Sequence, residues 1–585
     1  MTYSSLRTLL VKRFDIPKEY TLRKALRSFT IAEKAVFYFF VCLFATSSLF
    51  LLYKVNNAYL VEVPLKGGSL TEGVVGNPRF INPVLAISEA DKNLTTLVYS
   101  GLVRMTPEGS VANDLADSVI LSEDGLTYTA HIRPDAVFQD GHPVTADDVE
   151  FTIKKIENTA LKSPQFADWA GVAVNKIDDQ TISFTLSKPY ISFIDNLTMG
   201  ILPKHIWNNV TDDEFYFSQF NSLPIGSGPY KIENVERNPG GIPDYYDLVP
   251  FKEYVAGEPN IGHMIFRFYP SQTDLLNAYD NGDIDSLSGF SPEDAQELKN
   301  SHTKILSAPL PRIFGVFFNQ NQSKALLDKT VRQALDMSAP KDEIVDEVLD
   351  GYGTPIDGPL PAGTYAWTSQ RSTTTPLAEK VSEAQAMLSE DGWTKNSETG
   401  ILEKKTNDGT LTLSFSISTG DAPELKAVAQ KLKDSWEALG AKVDVLVFEP
   451  GDLNQNVIRP RKFEALLFGE VVGRDADVYP FWHSSERNDP GLNIALYTNS
   501  KVDKLLENAR TAKDLADKEA AYKTFDQEIR SDVPAVFLYT PSFLYLAPSK
   551  IHAESLGKLG IPQDRFLGIK DWYIETNKVW KLFVK

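Results

Sequence analysis

Asp475, Asp477 and Tyr479, in the run GRDADVYPFWHSS, place oxygen-bearing side chains at alternate positions, which is how a calcium-binding loop begins. Pro480 stands where such a loop requires glycine, so a calcium site is not expected there. The seven histidines (His131, His142, His205, His263, His302, His483 and His552) are scattered, with none at i, i+3 or i+4 from another, and none is taken as a metal ligand. The signatures of covalent and phosphoryl chemistry are missing: there is no GxSxG, HExxH, GxxxxGK[ST] or CxxC, and GYGTPIDG at 351–358 lacks the spacing of a dinucleotide turn. One cysteine, Cys42, excludes an intrachain disulfide and any cysteine-rich metal centre. Tyr479, Phe481 and Trp482 carry rings that could stack over a ligand or fill a core. What remains is the chemistry of holding a molecule.

The elements that would position these groups are mixed strands and helices. Leu126, Tyr128, Ala130 and Ile132 alternate with polar residues, and with Val119–Leu121 before the turn at Glu123–Gly125 they predict a hairpin. Thr145, with Asp148 three residues on, predicts a capped helix whose apolar face holds Val149, Ile153 and Ile156. Ile182, Phe184 and Leu186 alternate after the Asp178–Asp179 turn as a second hairpin. Farther on, Leu411, Leu413, Phe415 and Ile417 alternate as one strand. Pro423 opens a helix carrying Leu425, Val428, Leu432, Trp436 and Leu439 up to Gly440, and Val443, Val445 and Val447 form the next strand. Strand, helix and strand in so short a span make a βαβ unit and a partly parallel sheet. Helix spacing recurs at 331–337, 344–349, 502–509 and 521–529, so the class is α/β or α+β in several lobes.

The chain has 585 residues, enough for two or three domains at about 100–200 residues each. Its net charge of −19 would repel a phosphate backbone, so nucleic acid is not an expected partner. The charge is uneven: residues 1–34 hold eight basic residues (Arg7, Lys12, Arg13, Lys18, Arg23, Lys24, Arg27, Lys34) against Asp15, Glu19 and Glu33. Next comes Ala35–Tyr53, nineteen residues without a charge, close to the ~20 that a helix needs to cross a bilayer. The basic flank places the N-terminus in the cytoplasm and the rest outside. A cleaved signal peptide, lipidation at Cys42 and a buried soluble helix are the other readings of this segment.

The run LTEGVVGNPRFINPVL, then LVYSGLVRMTPEGSVANDLADSVILSEDGLTYTAHIRPDAVFQDGHPVTADDVEFTI, resembles the opening of the family 5 solute-binding proteins of ABC importers, the oligopeptide and dipeptide receptors. Later blocks follow in that family's order: IGSGPYKIE at 225–233, NGDIDSL at 281–287, FGVFFNQ at 314–320, VRQALDMSAPKDEIVDEVLDGYGTPIDGPLP at 331–361, and VPAVFLYTPSFLYL near the end.

The resemblance implies a two-lobed α/β periplasmic-binding-protein-like fold with an extra inserted domain, here preceded by one N-terminal transmembrane helix. The charge pattern gives a basic cytoplasmic segment at 1–34 and an anchor at 35–54; the resemblance, which covers roughly residues 65–575, gives lobe I at 60–98, 223–310 and 535–585, an insert at 99–222 and lobe II at 311–534, with two strands crossing as a hinge. It implies a peptide as ligand, the permease of an ABC importer and the membrane as partners, a monomer, no cofactor and no catalysis. It carries the ligand's ammonium to an aspartate in the segment matching LLFGEVVGRDADVYPFWHSS, hence Asp475 or Asp477. Relatives usually have a tryptophan shortly before that aspartate, whereas Val471, Val472 and Gly473 stand here, so both remain candidates. Tyr479 and Trp482 beside them, and the landmarks Asn82, Pro83 and Tyr99, would border the cleft. Gly226, Gly228, Pro229 and Tyr230 would shape a turn near the hinge. A non-peptide solute such as a nickel chelate, haem, an opine or an oligosaccharide suits the same fold, and an anchored hydrolase is a further alternative.

Overall fold

The computed structural model describes residues 20, 24, 27–298, 302–364, 366–368, 375–407, 409–553 and 555–583. The basic residues Arg7, Lys12, Arg13, Lys18 and Arg23 of the N-terminal segment lie outside the described residues. The chain forms two units, one of residues 1–65 with 576–585 and one of residues 66–575.

In the first unit, Ile31–Tyr59 is a 29-residue helix with no buried residue. Its length and composition suffice to cross a membrane. Thr30 begins it with a capping box: the hydroxyl accepts the Glu33 N–H at 3.4 Å, and the Glu33 carboxylate accepts the Thr30 N–H at 2.8 Å. The helix continues beyond the uncharged run at both ends, taking in Lys34 and Lys54. Strand Leu60–Leu65 then pairs with Glu575–Trp580. Trp580 stacks on Tyr59 and donates its indole N–H to Asn56 at 2.8 Å.

The second unit is built on a sheet of twelve strands among the described residues. It runs from Lys442–Phe448 through Ser414–Gly420, Ala465–Val471 and Arg312–Phe318 to Ala535–Pro548, then through Ser286–Ser288, Gly67–Val75, Ile261–Tyr269 and Pro243–Pro250 to Tyr230–Arg237. Thr303–Pro309 and Gly353–Pro355 also pair with Ala535–Pro548. That fourteen-residue strand serves several cores: Ala535, Val536, Phe537, Leu538 and Tyr539 pack with residues of 313–529, whereas Phe543 and Tyr545 pack with the 70–268 core and Leu544 and Leu546 with that around 275–298. The segment from Thr303–Pro309 to Arg312–Phe318 makes the same passage, with Ala308 and Leu310 in one core and Ile313, Val316 and Phe317 in others.

Several expected elements appear as read. The 119–132 hairpin is Ala116–Leu121 against Thr127–Ile132, and Tyr128, Ala130 and Ile132 are buried. Thr145 and Asp148 form their capping box ahead of Ala146–Glu157. Pro423–Leu439 is a helix ended by Gly440 at φ 112°, and Ser414–Gly420 lies parallel to Lys442–Phe448, so the βαβ unit is present. The expected 411–417 strand is two strands. Gly409–Thr412 pairs in a small sheet with Leu402–Thr406, and Ser414–Gly420 joins the large one, with Leu413 as the joint. Alternation runs unbroken through the joint because period two records which face is inward and carries no information about the pairing partner.

Candidate functional site

Helix Glu89–Val98 starts at Ser88 with a capping box to Asp91 and ends at Tyr99, whose ring forms part of the wall of a cavity of about 430 Å³. The backbone crowds here. A Cβ on Gly226 would stand 2.1 Å from the Val98 carbonyl oxygen, one on Gly228 2.6 Å from the Val98 carbonyl carbon, and one on Gly200 2.6 Å from Tyr99 Cβ. The IGSGPY run therefore needs glycine for close approach to the helix end, which positions Tyr99. Pro83, Thr95, Ser100, Arg104, Asp114, Asp168, Asp195, Tyr254, Arg474 and Asp564 share the lining.

The lining carries four carboxylates, Asp114, Asp168, Asp195 and Asp564, and four cations, Lys92, Arg104, Arg474 and Lys570. Asp195 lies in the 3-10 segment Ile191–Thr198, whose Phe193 and Leu197 point into the core. Burial raises its pKa; Arg474 and Lys518 pull it down, and Asp475 and Asp564 push it up. Burial likewise raises Asp168. Among the described residues neither makes an ion pair. Burial pushes Asp114 up to about 7, against the pull of Arg104, Ser100, Arg133 and Tyr254, and its Oδ1 has no hydrogen-bond partner. The Tyr99 hydroxyl is also buried without a partner, and burial raises its pKa. Buried polar atoms in that condition favour any ligand that can pair with them. Arg474 enters the wall from the far part of the chain and is held by Asp564, which also accepts the Gly560 and Ile561 N–H groups at 2.6 and 3.1 Å.

The expected ligand residues are distributed as follows. Tyr99 lines the cavity. Asp475 adjoins Arg474 in a turn where Gly473 takes φ 79° and Ala476 φ 51°. Its Oδ1 accepts from Lys518 and from Ser192, and its Oδ2 accepts from the Tyr190 hydroxyl at 2.9 Å. Lys518 also donates to Ser192 at 2.6 Å and is almost fully buried. Asp477 accepts from Arg510 at 2.6 Å and from the Tyr479 N–H at 3.1 Å, and the Arg510 guanidinium lies 3.8 Å from the centre of the Tyr479 ring. The other face of Tyr479 stacks on His483 at 4.1 Å. Trp482 is fully buried against Phe317, Tyr497 and Phe537. Asn82 is fully buried, donating to Asn221 and accepting the Val84 N–H, each at 2.9 Å, while its neighbour Pro83 lines the cavity. The two aspartates that resemble a calcium loop are thus each matched to a cationic side chain. Sequence reasoning passed over Asp195, Asp168, Asp114 and Arg474. The one local signal was at Asp195, a lone carboxylate in the otherwise uncharged stretch Tyr190–Met199.

Residues 110–491 match the family described as bacterial extracellular solute-binding proteins, family 5 Middle. The oligopeptide-binding protein AppA of Bacillus subtilis is 27% identical over 519 residues, 87% of this chain and 92% of AppA. Its structure in complex with a nonapeptide aligns with a TM-score of 0.63 over 88% of this chain and 100% of that one. The ABC transporter substrate-binding protein CtaP of Listeria monocytogenes is 27% identical, with a TM-score of 0.72 over 87% of this chain and 99% of its own. NikZ of Campylobacter jejuni, in complex with Ni(L-His), is 26% identical, with a TM-score of 0.65 over 86% of this chain and 99% of its own.

Proposed function

Because the chain belongs to the family 5 bacterial extracellular solute-binding proteins and has their mixed α/β periplasmic-binding-protein fold, we propose that it is a membrane-anchored receptor that captures peptides and delivers them to an ABC importer. The observation that carries this reading is the cavity edged by Tyr99, Asp168, Asp195 and Arg474, whose two aspartates have no ion-pair partner among the described residues. A peptide's ammonium, withdrawn from water, gains from a carboxylate in a low-dielectric enclosure, and its amides gain from polar atoms that are otherwise unpaired. AppA, which binds oligopeptides, supports this cargo.

In this reading the parts numbered 60–98, 223–310 and 535–585 act as lobe I, 99–222 as the insert and 311–534 as lobe II. The two strand passages near 310 and 540 serve as the hinge. Contacts of Tyr190 and Ser192 with Asp475 and Lys518 would then hold the insert to lobe II. The helix Ile31–Tyr59 would tether the receptor beside its permease and raise its effective concentration there. The protein holds its cargo without cleaving it.

The test is native mass spectrometry of the full chain, purified in mild detergent, together with whatever accompanies it. A ladder of peptides, unchanged on incubation, is expected. A nickel chelate, which the likeness to NikZ supports as second cargo, would replace the peptide reading, and shortened peptides would replace binding with hydrolysis. Protease added to intact cells should digest residues beyond the anchor; release of the intact domain into the medium would remove the tether from the proposal.

A further inference from the structure

Asp140, His142 and His205 meet on the surface of the second unit, and none of them lines the cavity. The sequence hides the group because its histidines come from separate elements. Asp140 and His142 sit on a tight turn closed by the Phe138 N–H to the His142 carbonyl and the Gly141 N–H to the Phe138 carbonyl, both at 2.8 Å, with Gly141 at φ 88°. His205 projects from the short helix Lys204–Trp207, which is anchored by the buried Trp207. Phe138, fully buried, sets its ring 5.8 Å from that of His205 and so ties the turn to the helix.

The geometry points to a binding site for a divalent first-row transition metal, with Zn²⁺ as the representative ion. One carboxylate and two imidazoles form a donor set suited to such ions. Asp140 Oδ2 lies 2.7 Å from His205 Nε2, Asp140 Oδ1 lies 3.3 Å from His142 Nδ1, and the ligand atoms of all three residues fall within 4.8 Å of one another. Bond lengths of about 2.0–2.2 Å around a tetrahedral ion put neighbouring donor atoms about 3.3–3.5 Å apart, so small side-chain rotations complete the triangle. His142, 60% exposed, has the freedom to make them. The imidazole rings stack at 4.0 Å, an arrangement that two protonated rings would oppose and a shared cation would favour. A fourth position faces solvent and would hold water. The ion would staple the turn to the helix and need not touch the cargo.

Two other histidine–aspartate pairs provide internal controls, since His131 with Asp117 and His263 with Asp247 have one imidazole each. The experiment is isothermal titration of zinc chloride into the full chain, purified without a histidine tag and freed of metal with chelator. The expected result is one saturable equivalent of Zn²⁺, weakened about tenfold or more in H142A and in H205A, and unchanged in H131A and H263A. Zinc should also raise the melting temperature of the wild type but not of H142A, whose exposed side chain leaves folding intact. Absence of saturable binding, binding kept in both H142A and H205A, or equal loss in the control variants would each overturn the site and leave the Asp140–His205 contact a surface ion pair.

Discussion

The acidic groups of the cavity wall and those of the turn at 473–477 differ in what already holds them. Asp195 is half-buried and Asp168 lies nearer the surface; burial raises the pKa of both, and neither makes an ion pair among the described residues. Asp475 and Asp477 are each matched to a cation, Lys518 and Arg510, and Asp475 also accepts from two hydroxyls. A carboxylate serves an incoming ammonium only with the part of its field that the protein has left unneutralised. The difference teaches that an aspartate's place in a family motif says less about its availability than the residues that fold against it from elsewhere in the chain.

The comparison breaks most visibly at Lys518. Its replacement in K518M takes the cationic partner from a partly buried Asp475 and should cost about 3 kcal/mol, the range for stripping one member from a buried pair. Urea denaturation reads this as a lowered midpoint. An unchanged midpoint would mean that the pair is loose and Asp475 is open to ligand after all. The next effect is on binding. D195N should weaken a short peptide with a free amino terminus by about 2 kcal/mol, the size of a hydrogen bond to a charged group, whereas D477N, whose carboxylate serves Arg510, should leave affinity within about threefold. Calorimetry with that peptide decides it, and the reverse order would return the ammonium to the motif aspartates.

Much of the frame could be read locally. The 116–132 hairpin, the Thr145 cap and the βαβ unit ending at Phe448 follow from alternation, helical spacing and capping chemistry, all properties of neighbours in sequence. Leu413 marks the limit, because alternation continues across it while the hydrogen-bonding partner changes from Leu402–Thr406 to the large sheet. The site lies beyond the same limit. Nothing near Asp475 reveals that Lys518 neutralises it, and nothing near Asp195 reveals that Arg474 lies close by. Gly226 and Gly228 were readable as glycines with a purpose, but that purpose, contact with the end of the Glu89–Val98 helix, required the fold.

A smaller effect separates the two regions by pH. Burial lifts Asp114 on the cavity wall to about 7, above its value in the unfolded chain, so the folded state holds the proton more tightly. The stability this contributes is complete below about pH 4 and is lost as pH rises through about 7. D114N cannot ionise, so its stability relative to wild type should climb between pH 4 and pH 6 by on the order of 2 kcal/mol. A difference that stays flat across that window would mean that Asp114 is solvated in the folded protein and that the wall is wetter than its burial implies.

The smallest effect tests the other side of the contrast, at Tyr190. Its hydroxyl donates to Asp475 Oδ2 at 2.9 Å, and its ring lies 6.0 Å from the Lys518 ammonium. Y190F keeps the ring and removes only the donor, so it should cost about 1 kcal/mol. If the hydroxyl contact and the Lys518 pair act together, Y190F and K518M combined should cost less than the sum of the two, since each removes support from the same carboxylate. Strict additivity would show that the hydroxyl contact and the Lys518 pair act independently, and no cost for Y190F alone would show that the hydroxyl does little to hold Asp475. The hold on Asp475 would then rest on Lys518 rather than on a shared network, and the contrast between the two sets of aspartates would narrow to that one pair.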